Sequence, residues 1–252
     1  MAQSFRKSQI LDIARSDGRV VVEDLAERFG VSTQTIRRDL TDLAADGKLD
    51  RVHGGAIMPA GALNIRYADR QAINETAKAA IAAACAADIP NNSSVLLNIG
   101  TSTEAVARAL MGHQNLTVLT NNMNVANILS ANDTFQIIVL GGMMRAQDGG
   151  LVGDLTVQAI DRFKVDHAVI GTSALDLDGD LLDFDLQEVR VSRTIIMRSK
   201  RTSLVVDASK LERSAPVRIA SLCDLDAVYT DWLPPSLMAK CTEGSTLVRI
   251  AD

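Results

Sequence analysis

No stretch of the 252-residue chain approaches the roughly 18 uninterrupted apolar residues of a membrane-crossing helix. Its start, MAQSFRKSQILDIARSDGR, lacks the apolar run and small-residue cleavage site of a secretory leader, so the expectation is a cytoplasmic protein. Cysteine is scarce and scattered. Cys85, Cys223 and Cys241 form no C-x-x-C pair, which argues against a disulfide framework or a thiolate zinc site, and they read as buried reduced thiols. The histidines His53, His113 and His167 join no Ser-His-Asp or metal-ligand constellation, so no cofactor is expected. Internal repeats of solenoid period and low-complexity tracts are absent too. What remains is ordinary globular material, 47% apolar and 23% charged, enough for a substantial core. The length suits a small module joined to a mid-sized one.

The net charge of −5 argues against a sequence-independent nucleic-acid binder, but the total hides a division. Residues 1–58 carry nine Lys/Arg against nine Asp/Glu, and residues 59–252 carry seventeen against twenty-two. The acidic surplus lies wholly in the second part. The texture changes near HGGAIMPAGALN, where glycines, a proline and small residues interrupt the pattern. The expected organisation is a module over 1–58, a linker helix region over 59–88 with one helix from Tyr67 to Ala87, and a larger second domain over 89–252.

The first module shows three short amphipathic helical patterns, marked by Ile10, Ile13 and Ala14, by Leu25, Ala26 and Phe29, and by Ile36, Leu40 and Leu43. Ser32, after the turn Gly30-Val31, is placed to cap the third helix. KLDRVHGGA then reads as a strand, a basic tip and a return, which completes a winged helix-turn-helix. With Ile36, Leu40 and Leu43 facing the core, Gln34, Arg37, Arg38 and Thr41 face outward at helical spacing. Thr33, Gln34, Thr35, Arg37 and Arg38 suit a major groove: Gln bonds adenine bidentately, and Arg bonds guanine or clamps a phosphate. Lys48, Arg51 and His53 add positive charge on the wing. Against this stands a plain alternative, Arg37-Arg38-Asp39 as a solvated face in a module that contacts protein.

The stretch from RKSQILDIARSDGR through VSTQTIRRDL to RVHGGA resembles the DNA-binding segment of the DeoR family of bacterial repressors. The resemblance implies that residues from Ser32 to Arg38 read an operator, with Arg51 and His53 supporting the grip. Asp50 departs from expectation, an acid where a phosphate would lie.

The second part alternates helices with the runs VLLNIG, LTVLTNN, FQIIVLGG, HAVIGTSA, TSLVVD, DAVYTD and STLVRIA. Strands buried on both faces and alternating with helices imply a mostly parallel α/β sheet. Ligands of such sheets sit beyond the carboxyl ends of the strands. There, Gly100, Thr101, Ser102 and Thr103 open a helix and offer amides, hydroxyls and a helix dipole to an anion, a phosphate being the natural guest. The loop is neither a P-loop nor a G-x-G-x-x-G fingerprint. Asn121 and Asn122 suit hydroxyls, Gly141 and Gly142 allow close backbone approach, and Lys210 supplies charge. The aspartate-rich run DLDGDLLDFD fails the spacing of a calcium loop and reads as a hairpin at the pocket rim.

The order GTSTEAVA, TNNMNVAN, LGGMMRAQDGGLVG, IGTSALDLDGDLLDFDLQEVRVSR and VVDASK is similar to the effector domain of the same family. That resemblance implies a fold of the ribose-5-phosphate isomerase kind, with Gly100 to Thr103 and Lys210 around phosphate. It implies Asn121, Asp207 and Glu188 near hydroxyls, and Lys78 linking ligand to DNA module. The tracts NIGTSTEAVARAL, TNNMNVAN, RAQDGGLVG and DAVYTD point within the family to a glycerol 3-phosphate effector, with fructose or tagatose phosphate as the alternative. Asp207, Glu188 and Lys210 could serve an isomerase as acid and base. A DNA-reading module in the same chain gives the pocket a use without turnover. The reading is therefore a repressor, not an enzyme, working as a homo-dimer or homo-tetramer on double-stranded operator DNA.

Overall fold

In the computed structural model, which describes residues 6, 7, 9–11, 13, 14, 19–46, 48–52, 54–57, 67–211 and 213–251, the chain divides into two units, Met1–Ile65 and Arg66–Asp252. In the first, α1 (Val22–Phe29) ends at Gly30, whose left-handed backbone (φ 62°) turns the amide back onto the carbonyls of Ala26 and Glu27. After the turn, α2 (Thr33–Ala45) is capped by Ser32, whose hydroxyl accepts the Thr35 amide at 3.2 Å. Ile36, Leu40 and Leu43 are buried with Leu25 and Val22 of α1 and with Ile10 and Ala14, which belong to a helical stretch within residues 6–14.

The wing holds three strands rather than two. The return from β2 (Asp50–Val52) to β3 (Gly55–Ile57) matches the sequence reading, and β1 (Arg19–Val21) pairs antiparallel with β3 on its other side. Three residues are too few to show a strand's period, so β1 was not legible. Gly55 is needed there, since a Cβ would lie 2.0 Å from the Val20 carbonyl oxygen. Gly55→Ala is therefore expected to destabilise this unit by roughly 1–3 kcal/mol as the wing shifts. Urea unfolding of the full chain checks this, and an unchanged first transition would contradict it.

In the second unit, the single helix expected from Tyr67 to Ala87 is broken into α3 (Tyr67–Ala72) and α4 (Glu75–Ala87). The break falls at Asn74, which adopts the left-handed backbone (φ 53°) that asparagine tolerates and whose side chain is held by Asp207 at 2.8 Å. Nor does α4 stand apart as a linker. Its apolar face, Ile81, Ala82, Cys85 and Ala86, is buried in the α/β core.

The seven apolar runs form the seven strands of one parallel sheet: β4 (Ser94–Leu97), β5 (Thr117–Thr120), β6 (Gln136–Val139), β9 (Val165–Ile170), β12 (Ser199–Val205), β14 (Ala227–Thr230) and β15 (Leu247–Ile250), in the spatial order β15-β14-β12-β9-β4-β5-β6. Alternate side chains face opposite layers, as strand geometry requires. Val95 and Leu97 pack with α4, α5 (Thr101–Ala109) and α6 (Met123–Leu129). Leu96 packs on the far side, where α7 (Asp154–Ile160), α8 (Leu186–Met197) and α9 (Pro235–Glu243) lie.

Two smaller sheets were not expected in full. A hairpin joins β7 (Met143–Met144) to β8 (Leu151–Val152). The aspartate-rich run does form a hairpin, β10 (Ala174–Leu175) to β11 (Asp180–Asp183), and β13 (Val217–Ser221) adds a third strand. Among the described residues, no group of three or more His, Cys, Asp or Glu could hold a metal, and no helix is long and apolar enough to cross a membrane. Cys85 and Cys241 are buried, whereas Cys223, against expectation, is exposed on a short turn between β13 and β14.

Candidate functional site

The outer face of α2 presents Gln34, Arg37, Arg38 and Thr41 to solvent, while Thr33 and Thr35 are half-buried. Ser32 is exposed but engaged, its hydroxyl lying 2.9 Å from that of Thr35, and Thr41 donates to the Arg37 carbonyl at 2.8 Å. The alternative of a solvated Arg-Arg-Asp face is not what the helix shows. Asp39 is buried and takes the Arg6 Nε at 2.6 Å, so the acid leaves the face that carries the two arginines. Lys48 is exposed and pairs with Asp46 at 3.1 Å, an exposed contact of little energetic weight that yields readily. Arg51 is exposed on β2, and His53 lies outside the described residues. The first turn of α2 carries no acid to repel a phosphate from its amides.

The second site forms at the carboxyl ends of β4, β5 and β12. Lys78 on α4 is buried, and its ammonium donates to the Arg70 carbonyl. Thr101, at the start of α5, donates to the same carbonyl at 3.4 Å. Burial pulls the Lys78 pKa below its ordinary value. Lys210, in the 3₁₀ turn Ala208–Lys210 after β12, is pulled further, to about 7, by burial and by the positive charges of Arg213, Arg70 and Lys78. Asp207 opposes that effect on both lysines. Burial works to raise its own pKa, yet hydrogen bonds from Ser209 and Asn74 and the charges of Lys210 and Lys78 hold it low, so the carboxylate stays ionised.

Four buried polar atoms here have no hydrogen-bond partner: Asn98 Oδ1, Asn121 Oδ1, Asp207 Oδ2 and Arg70 Nε. Asn98 and Asn121 follow adjacent strands, and each commits only its amide nitrogen, to the Ser192 hydroxyl at 2.9 Å and the Leu151 carbonyl at 3.1 Å. Leaving a buried acceptor unmet costs about 1–3 kcal/mol.

Other expected residues have structural duties. Thr103 donates to the carbonyls of Asn98 and Gly100 at 2.7 Å, Ser102 is half-buried, and Gly100 caps α5. Asn122 caps α6 and bonds Glu104 at 3.3 Å. Gly142 lacks a side chain for packing reasons, because a Cβ would lie 2.0 Å from the Thr156 hydroxyl, and Gly141 gives its carbonyl to that hydroxyl at 2.7 Å. Glu188 belongs to a neighbouring cluster in which Arg145 binds Glu188 at 2.6 Å, Asp148 at 2.6 Å and Asp185 at 3.1 Å. Burial and the charge of Asp183 raise the Glu188 pKa to about 7 against the pull of Arg145.

The residues that sequence reasoning missed are polar partners on elements it did not separate. Tyr67 donates to Glu104 at 2.7 Å and accepts from Asn124 at 2.9 Å, and Arg70 reaches Asp148 at 3.5 Å. Asn98 had a visible signal, an asparagine ending the apolar run VLLNIG. Tyr67 and Arg70 had none, since Glu104, Asn124 and Asp148 lie 37, 57 and 78 residues from them along the chain.

A winged helix-turn-helix with a basic outward helix, followed by an α/β domain with a cationic, acceptor-lined site, defines a one-component ligand-responsive regulator of transcription. Residues 6–61 match the DeoR-like helix-turn-helix domain and residues 73–232 the DeoR C-terminal sensor domain, so the chain belongs to the DeoR family of transcriptional repressors, a non-enzymatic family. It is 45% identical to the glycerol-3-phosphate regulon repressor of Escherichia coli, over 96% of this chain and 97% of that one. To the protein of the same name in Haemophilus influenzae it is 42% identical, over 98% and 96%. It is 35% identical to the HTH-type transcriptional repressor CsqR of Escherichia coli, over 96% and 93%. Among solved structures, a ribose 5-phosphate isomerase from Plasmodium falciparum is 13% identical, with 53% of this chain and 52% of that chain covered and a TM-score of 0.39.

Proposed function

We propose that this repressor is released from its operator by a small phosphorylated polyol, glycerol 3-phosphate first among them, and so controls genes of glycerol or carbohydrate breakdown. The observation that carries the reading is the pairing of unlike needs at one set of strand ends. Arg70, Lys78, Lys210 and Arg213 raise the local positive potential, while Asn98, Asn121 and Asp207 hold unmet acceptors. A phosphate answers the first and hydroxyl groups answer the second, with Thr101 and the amides opening α5 supporting the phosphate. The relatives named for the glycerol-3-phosphate regulon support the choice of ligand. One winged module reads few base pairs, so the repressor acts as a dimer or a larger assembly, in the compartment that holds the DNA.

The lysine pKa supplies a test. Only the ammonium form of Lys210 pairs with phosphate, and in the free protein that form is lost as pH rises through about 7. Glycerol 3-phosphate affinity is therefore expected to fall above pH 7, by up to about tenfold per pH unit, with proton uptake on binding. Isothermal titration at pH 8 in two buffers of different ionisation enthalpy measures that uptake. Binding without it would remove Lys210 from the phosphate, and glycerol binding as tightly as its phosphate would overturn the reading.

A further inference from the structure

The carbonyl of Arg70 accepts from both the Lys78 ammonium and the Thr101 hydroxyl, two groups of the phosphate site. A carbonyl oxygen carrying partial negative charge is a surrogate for a phosphate oxygen. It is offered by α3, the first element of the sensor unit, which directly follows the segment leading from the DNA-binding unit. We propose that α3 is an internal competitor for the phosphate site: its Arg70 carbonyl occupies the phosphate-oxygen position in the ligand-free repressor, and the effector's phosphate displaces it. This inference rests on the phosphate reading above and adds how occupancy leaves the site.

The rest of α3 has the construction of a latch. Six residues make a helix too short to hold itself, so its position depends on side-chain ties. Tyr67 is tied to Glu104 and Asn124, at 2.7 and 2.9 Å, and Gln71 donates to the Tyr67 hydroxyl at 2.6 Å. Arg70 is tied to Asp148 at 3.5 Å, while its buried Nε has no acceptor. A buried guanidinium nitrogen left without an acceptor makes the closed position of α3 metastable. A phosphate brings formal charge where the carbonyl has only a dipole, so Lys78 and Thr101 exchange a weaker acceptor for a stronger one. The ligand can shift the latch only by its preference for the released state, which is the free energy of that exchange.

Hydrogen exchange read by mass spectrometry on the full-length repressor tests this, with glycerol 3-phosphate, inorganic phosphate or glycerol added. The expected result with saturating glycerol 3-phosphate is faster exchange over residues 67–74, by about fivefold or more, alongside slower exchange over 100–104. Glycerol should do neither. Tyr67→Phe, which loosens the tie and leaves the phosphate groups in place, should bind glycerol 3-phosphate about threefold or more tightly than the parent. Saturable binding with residues 67–74 unchanged or protected overturns the latch and leaves the phosphate reading standing. Tyr67→Phe binding equally or more weakly does the same. If neither glycerol 3-phosphate nor inorganic phosphate binds by titration, the phosphate reading falls and the latch with it.

Discussion

Replacing Arg37 or Arg38 with alanine is expected to weaken operator binding by about ten- to a hundredfold, the ~1–3 kcal/mol of a bidentate base contact. Both side chains are exposed on the face of α2 opposite Ile36, Leu40 and Leu43, so their loss should leave the unit folded. Salt separates the two roles open to each arginine. If one grips a phosphate, its loss lowers the slope of log affinity against log salt by about 1 and weakens all sequences alike. If it reads guanine, the slope holds and discrimination at one base pair collapses. Glycerol 3-phosphate binding should be untouched, because every residue of the proposed site lies in the unit Arg66–Asp252. Normal operator affinity in both variants would sink the assignment of α2 as the reading helix.

Lys210→Ala is expected to give the opposite phenotype, a repressor that holds its operator and no longer lets go. Removing a charge-assisted bond to phosphate costs about 2–3 kcal/mol, which is roughly a 30- to 150-fold loss of ligand affinity. Stability provides the control. A lysine whose pKa is pulled to about 7 by burial and like charges works against folding whenever it is charged. The sign is that of a lowered lysine pKa: the unfolded chain binds the proton more readily between pH 7 and the ordinary lysine value, so the penalty is fully present below pH 7 and fades as pH rises. Alanine should therefore leave the melting temperature unchanged or raise it near pH 7. A large fall in melting temperature would mean that Lys210 is a structural residue.

Much of the fold was legible because its signals are local. Each of the seven strand runs carries its own β-branched character and boundary residues, so all seven were found before any pairing was known. Ser32 as a cap and Ile36, Leu40 and Leu43 as a core face likewise follow from spacing within one helix. What was not legible depends on distant partners. Asn74 breaks a helix because Asp207, 133 residues later, holds its side chain. Asp39 leaves the solvent because Arg6 reaches it. β1 and β13 exist only as additions to sheets already built.

The candidate site divides in the same way. Lys78, Thr101, Asn121, Asp207 and Lys210 stood out as polar groups in family-like tracts at strand ends or on the helix before them. Asn98, Arg70 and Tyr67 matter only through what folds against them. Gly141 and Gly142 were read as allowing close backbone approach; at Gly142 the side chain of Thr156 leaves no room for a Cβ, whereas a Cβ at Gly141 would meet nothing within 4 Å.

The central claim is that one chain joins an operator-reading helix to a phosphate-reading sensor. Fluorescence anisotropy on labelled DNA from the chain's own upstream region, titrated with glycerol 3-phosphate and separately with glycerol and fructose phosphates, tests it most directly. Salt-dependent binding of the DNA, released by glycerol 3-phosphate and unaffected by glycerol, is the predicted result. Tight binding that glycerol 3-phosphate leaves undisturbed would contradict it.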